Sequence, residues 1–229
     1  MRRPARGVGA RHGVTPARFG RRAAGALVNS RARRGSWFGV QALSLTFDDG
    51  PDPGGTPAVL DALARAEARA TFFVIAPRAA AHPDLMARIA AEGHGVGLHC
   101  DEHVRHSERD RRWCATDTAR ALDRLAALDV VPRLWRTPWG DTAPWTAEIA
   151  AAHGLALVGW SVDTHDWRGD DAATMFAATR PGLQAGAVVL AHDGIGPGAQ
   201  REDARETAAY VPLAAAHSRR HELALTALP

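Results

Sequence analysis

Between residues 42 and 226, apolar strand-like runs and amphipathic helical runs alternate about seven times, with short connections and no internal repeat. Few architectures accept such alternation, because a strand that crosses over through a helix returns parallel to the strand it left. The pattern predicts an α/β fold, a parallel sheet covered by helices and either open or closed into a barrel. Strands are expected at 42–47, 71–75, 95–99, 130–135, 155–161, 187–191 and 223–226. Helices are expected to start at Thr56, acting as N-cap ahead of Pro57, to run from Pro83 to a stop at Gly93, and to cover 116–128, 145–153, 172–179 and 203–219. The run Thr71-Phe72-Phe73-Val74-Ile75 is apolar without alternation, as a strand covered on both faces should be.

A parallel α/β sheet carries its chemistry at the carboxyl ends of its strands, and ionisable residues gather there in this chain. Asp48 and Asp49 follow the first strand, His99 and His103 the third, Arg136 the next, Asp163 and Asp166 the one after, and His192 with Asp193 the one ending near Ala191. Adjacent carboxylates at the end of a buried strand repel, so Asp48 and Asp49 call for a positive partner. His99 and His103, four residues apart, would share one face of a helical turn. With Asp49 they form an Asp/His/His set that leaves room for water, the donor pattern of catalytic zinc. Cobalt, nickel or manganese would also suit imidazole and carboxylate.

Hydrolysis at such a site needs a base for water, a proton donor for the leaving group and a receiver for the developing oxyanion. Asp48, beside the ligand Asp49 but turned away from it, is the candidate base. His192 is the candidate acid because its ordinary pKa suits proton donation near neutrality, and Asp166 can orient it. Arg136 lies in the Pro/Gly-bounded stretch Arg136-Thr137-Pro138-Trp139-Gly140, where it can clamp Asp48 through a bidentate pair. Trp139 and Trp167 offer flat apolar walls for a sugar ring, and Pro138 and Leu190 are further candidate substrate contacts.

The 229 residues suffice for one sizeable domain. All 28 basic residues are arginine. Ten of them precede Ser36, and no acidic residue occurs before Asp48, which leaves 18 arginines against 25 carboxylates and a charge of −7 over the rest. Residues 1–40 therefore read as an Arg-rich, disordered arm and 41–229 as the catalytic domain. Only Phe19, Trp37 and Phe38 accompany those arginines, too few stacking aromatics for a specific nucleic-acid partner. No run approaches the roughly 18 apolar residues of a membrane span. The best candidate for a signal-peptide core, residues 23–28, is shorter than the roughly 7–15 required. The expected location is cytoplasmic, or extracellular or at the cell surface if the start site is mis-called. Two cysteines do not establish a redox compartment, and the oligomeric state is left open.

Five motifs in order resemble the polysaccharide deacetylases, also called NodB-like deacetylases or carbohydrate esterase family 4. They are Thr46-Phe47-Asp48-Asp49-Gly50-Pro51, Gly93-His94-Gly95-Val96-Gly97-Leu98-His99 with His103, Arg136-Thr137-Pro138-Trp139-Gly140, Trp160-Ser161-Val162-Asp163-Thr164-His165-Asp166-Trp167, and Val189-Leu190-Ala191-His192-Asp193. The resemblance implies a distorted, incomplete (β/α) barrel of about seven strands. It also implies metal-dependent removal of N-acetyl groups from an amino-sugar carbohydrate such as a chitin oligomer or peptidoglycan, releasing acetate. By the same resemblance Asp48 is the base, Asp49, His99 and His103 bind the metal, Arg136 holds Asp48, the Trp139 N–H joins the oxyanion hole, and His192 is the acid tuned by Asp166. Cys100, Leu98 and Trp139 stand where the family commonly has Ser or Thr, Asn, and Tyr. The charged segment 101–112, with His106, is where contacts particular to this chain are expected. The alternatives are a deacylase or deformylase of a small nucleotide- or lipid-linked amino sugar, and a non-catalytic carbohydrate-binding relic of the fold.

Overall fold

A computed structural model describes residues 41–229 and the backbone of Ser36, Trp37 and Val40. The rest of the expected Arg-rich arm lies outside the described residues. The chain pairs β1 (Ser36–Trp37) antiparallel with the start of β2 (Val40–Asp48), then continues through α1 (Thr56–Arg65), β3 (Thr71–Ile75), α2 (Ala76–Ala81), α3 (Pro83–Ala91) and β4 (Gly95–Cys100). Next come α4 (Arg111–Ala126), β5 (Leu134–Trp135), α5 (Thr146–Ala152), β6 (Ala156–Leu157), β7 (Val162–Asp163), α6 (Ala172–Thr179), β8 (Val188–His192), α7 (Arg205–Arg220) and β9 (Ala224–Leu225). The main sheet runs β6-β5-β4-β3-β2-β8-β7, every neighbouring pair parallel, and β9 pairs with the first half of β2. Seven parallel strands thus curl into a half-barrel, as expected.

The period of two along β2 explains how one strand serves both core and site. Leu43, Leu45 and Phe47 join the apolar core, where Phe47 stacks on Phe72 at 5.3 Å. The alternate residues Ser44, Thr46 and Asp48 are just as buried but polar. Thr46 donates to the Val189 carbonyl at 2.6 Å, so the polar face is hydrogen-bonded inward and ends on a carboxylate. Among the described residues no helix is long and apolar enough to cross a membrane.

Several boundaries differ from expectation for physical reasons. Thr56 is not a side-chain cap; its hydroxyl accepts from the Asp52 N–H at 2.7 Å and donates to Asp193. Helix α4 begins at Arg111 because Asp110 caps it, accepting from the Trp113 N–H at 2.7 Å. The strands expected at 130–135 and 155–161 shrink to two residues each. Beyond the expected end at residue 161, Val162–Asp163 forms a further strand, β7, on the far side of the sheet from β6.

Candidate active site

At the carboxyl end of β2, Asp48 accepts a 2.8 Å hydrogen bond from Arg136 Nη1. Both side chains are essentially sealed from solvent. The expected bidentate clamp is not what forms: Nη1 also donates to Thr46 Oγ1 at 2.8 Å, and Nη2 donates to the Gly159 carbonyl at 3.0 Å. With Nε donating to the Val158 carbonyl at 3.5 Å, the planar fork spreads its donors over four partners, and the Phe73 ring lies beneath it at 4.2 Å. Burial presses the guanidinium's pKa down, and Asp48 opposes that, so a fixed cation faces one carboxylate oxygen.

Asp49 turns the other way because its backbone takes the left-handed conformation, φ 73°, a strained choice for a residue with a Cβ. Its Oδ1 lies 3.4 Å from His99 Nε2 and 3.2 Å from His103 Nε2. His99 and His103 are not on a helical turn. His99 belongs to β4 and His103 to the following turn, where Asp117 of α4 accepts from the N–H groups of Asp101 and Glu102 at 3.2 and 2.9 Å. That anchor from another element brings the second imidazole back over the strand end.

This cluster fits a divalent cation. Asp49 Oδ1 is buried without a hydrogen-bond partner among the described residues, and its gaps to the imidazoles exceed the roughly 2.7–2.9 Å of charge-assisted hydrogen bonds. A tetrahedral shell with bonds of about 2.0–2.2 Å sets its ligand atoms about 3.3–3.6 Å apart. His99 Nδ1 is engaged by the Arg136 carbonyl at 2.6 Å, which fixes the ring and leaves Nε2 to face the centre. Burial alone would raise Asp49's pKa, but His103 and His99 hold it well below the usual carboxylate range. A second carboxylate cluster, Asp101, Glu102 and Asp117, is neutralised by Arg120 and Arg124.

At the end of β8, His192 Nδ1 meets Asp166 Oδ1 at 2.7 Å, and the His192 N–H donates to Asp166 Oδ2 at 2.9 Å. Burial alone would lower the imidazole's pKa; the Asp166 carboxylate overrides it and lifts it to about 9. Asp166 itself, though buried, is drawn down to about 2, chiefly by His192. Two residues absent from the expected site complete the pair. Thr207 Oγ1 donates to Asp166 Oδ2 at 2.7 Å, and Arg201 Nη2 lies 3.5 Å from the same oxygen. Neither has a motif signature, and Thr207 is 41 residues from Asp166. The neighbouring Asp193 is fully buried, and burial pushes its carboxyl up to about 7.

Trp139 lies in a single 3-10 turn, Pro138–Gly140, with a left-handed backbone, φ 55°. Among the described residues its N–H donates to no backbone carbonyl, so it is available as an oxyanion donor. Gly140 is required there: at φ 65°, an added Cβ would come within 2.6 Å of the Trp160 ring. The indole of Trp139 is 40% exposed, stands edge-on to His103 at 4.2 Å and carries Arg105 over its ring at 4.4 Å. One of its faces is therefore already occupied. Trp167 is half-buried, with Arg168 over its ring at 5.1 Å. Pro138 and Leu190 are buried. His106 is not a surface contact, since it lies buried beside Trp135 with Nδ1 3.1 Å from Thr146 Oγ1, and burial lowers its pKa to about 4. Cys100 and Cys114 are buried free thiols.

A carboxylate held by an arginine and an imidazole kept protonated by an aspartate both border a three-donor cluster. Water attack on an acyl group uses that combination, so the arrangement is that of an acyl hydrolase. The chain belongs to the polysaccharide deacetylase family, whose signature matches residues 38–158. It is 38% identical to a chitooligosaccharide deacetylase of Bradyrhizobium sp. (strain ANU 289), over 75% of this chain and 79% of that one. A peptidoglycan-N-acetylglucosamine deacetylase of Bacillus cereus is 36% identical over 66% of this chain and 55% of the relative. Among solved structures, a peptidoglycan N-acetylglucosamine deacetylase bound to an N-hydroxybenzamide superposes with TM-score 0.76 at 28% identity, covering 83% of this chain and 87% of that one. A family 4 carbohydrate esterase from Streptomyces lividans, in complex with acetate, superposes with TM-score 0.72 at 28% identity over 80% and 91%.

Proposed function

We propose that this protein hydrolyses the N-acetyl group of an amino sugar within an oligosaccharide, a chitin oligomer or a peptidoglycan fragment, and releases acetate. The observation that carries the reading is the paired placement of Asp48, held by Arg136, and His192, held by Asp166, around the Asp49/His99/His103 cluster. Asp49, His99 and His103 would hold one divalent ion, for which their donor set favours zinc. When bound, it would supply Lewis-acid polarisation of the acyl oxygen and acidify water.

The protein's own groups then divide the remaining work. Asp48 takes a proton from the attacking water, and Arg136 holds it aimed. The Trp139 N–H donates to the oxyanion that develops as the carbonyl becomes tetrahedral. His192 delivers a proton to the departing amine nitrogen, and Asp166 stabilises the imidazolium until it does.

Incubating zinc-loaded protein with N-acetylated chitin oligomers, peptidoglycan fragments and acetylated xylan, with acetate and formate assayed separately, tests the reading. Acetate from the amino-sugar substrates is expected. Zinc binding without acyl release from any of them would overturn it in favour of a carbohydrate-binding relic.

A further inference from the structure

Arg78 lies in α2, outside every motif of the family and far from the reacting groups in sequence. Its guanidinium nevertheless reaches the back of the site. Nη1 donates to the Asp49 carbonyl at 2.8 Å, and Nη2 donates to the Ile195 carbonyl at 2.9 Å. The Asp52 carboxylate, 3.7 Å from Nη1, balances the charge. One rigid fork thereby joins the turn after β2, which carries Asp49, to the loop after β8, 117 residues beyond Arg78.

The loop it joins is packed against Asp49 without slack. A Cβ at Gly194 would come within 2.5 Å of the Asp49 carbonyl oxygen, and one at Gly196 within 2.0 Å of Asp49 Oδ2. Asp49 thus has a carboxylate backed by Gly196, a carbonyl backed by Gly194 and Arg78, and a backbone conformation, φ 73°, that side chains normally avoid. Something outside the turn must pay for that conformation, and the two-carbonyl bridge from Arg78 is the contact placed to do so. From this we infer that Arg78 is a positioning residue: it locks Asp49 into the geometry that binds the divalent ion. The inference rests on Asp49 being a metal ligand, as the proposed function holds.

A contrast within the same loop makes the role specific. Arg201 grips the loop from its other side, donating to the His192 and Gly194 carbonyls at 2.8 and 3.0 Å, but its remaining contacts are with Thr207, Asp203 and Asp166. Arg78 therefore serves the metal aspartate, and Arg201 serves the His192–Asp166 pair. Simple loosening of the loop would act on both alike.

The test is calorimetric titration of Zn2+ alone into metal-free full-length protein, with apo-state melting temperatures recorded in parallel. Arg78→Met should weaken zinc binding by about ten- to a hundredfold, the scale of losing a group that orients a ligand. Arg78→Lys, whose single ammonium cannot bridge both carbonyls, should recover only part of the loss and covers the case in which Arg78→Met does not fold. Arg201→Met should bind zinc within about twofold of the parent while losing kcat. Equal zinc affinity in the parent and both Arg78 variants, or equal weakening by Arg201→Met, overturns the role of Arg78. Absence of zinc binding by the parent would instead overturn the metal reading itself.

Discussion

Asp48 and His192 are register partners at the carboxyl ends of β2 and β8. Neighbouring parallel strands lie about 4.8 Å apart and paired positions project to the same face, so the carboxylate held by Arg136 and the imidazole held by Asp166 are delivered side by side by the sheet. The order of strands in the fold, with β8 inserted next to β2, is what makes an acid and a base adjacent despite 143 residues of chain between them.

The first expectation concerns chemistry alone. Asp48→Asn preserves shape while removing the proton acceptor, so acetate release should fall by about 10²–10⁴-fold. Zinc affinity, which the proposed ligands Asp49, His99 and His103 would set, should stay close to the parent's. Assay of turnover beside zinc titration separates the two, and normal turnover in Asp48→Asn would exclude Asp48 as the base.

Stability should expose the Asp48–Arg136 pair in a different way. Arg136→Met leaves the Asp48 carboxylate buried without its cation and should cost about 3–5 kcal/mol in urea unfolding. The double variant Asp48→Asn with Arg136→Met removes both charges and should lose markedly less than the two single losses combined. Additive losses would mean that the pair is not the interaction that matters there.

A pH dependence follows from His192. Its folded pKa of about 9 exceeds the ordinary 6.5, so its interaction with Asp166 stabilises the metal-free protein fully below pH 6.5 and is lost as the pH rises through 9. Melting temperatures in the presence of a chelator should show the parent losing its advantage over His192→Gln across pH 6.5–9. A constant difference between the two proteins over that window would contradict the imidazolium–carboxylate pair.

How far the site could be read without coordinates depended on where its information lies along the chain. Asp48, Asp49, His99, Arg136, Asp166 and His192 were legible because each lies at or within a few residues of the carboxyl end of an apolar strand, and a parallel sheet collects such positions at one end. The geometry joining His99 to His103 was not legible. A spacing of four suggests a helical turn, whereas the actual bend is held by Asp117, 16 residues beyond Asp101. The sharing of Arg136 among Asp48, Thr46 and Gly159 depended on side-chain direction, which spacing does not encode. Arg78, Arg201 and Thr207 reach the site from α2, a loop and α7 through long or non-local contacts, and no local pattern marks them. The strand β7 was hidden because it is only two residues long and lies just beyond the apolar run that ends at residue 161.

Metal binding should be visible as stability independent of turnover. A ligand that binds only the folded state stabilises it by RT ln(1 + [L]/Kd), about 2.7 kcal/mol when zinc stands at 100 times its Kd. For a domain of this size each kcal/mol moves the melting temperature by about 2–4 °C, so saturating zinc should raise it by about 5–10 °C over chelator-treated protein. Asp49→Ala would remove one of the three proposed ligands and with it most of that shift, while Asp48→Asn should keep it. The two aspartates are adjacent in sequence and both buried, so a general effect of losing a buried carboxylate would alter the two variants alike. Only the division of labour imposed by the left-handed backbone at Asp49 separates them, and an equal zinc shift in both variants would rule that division out.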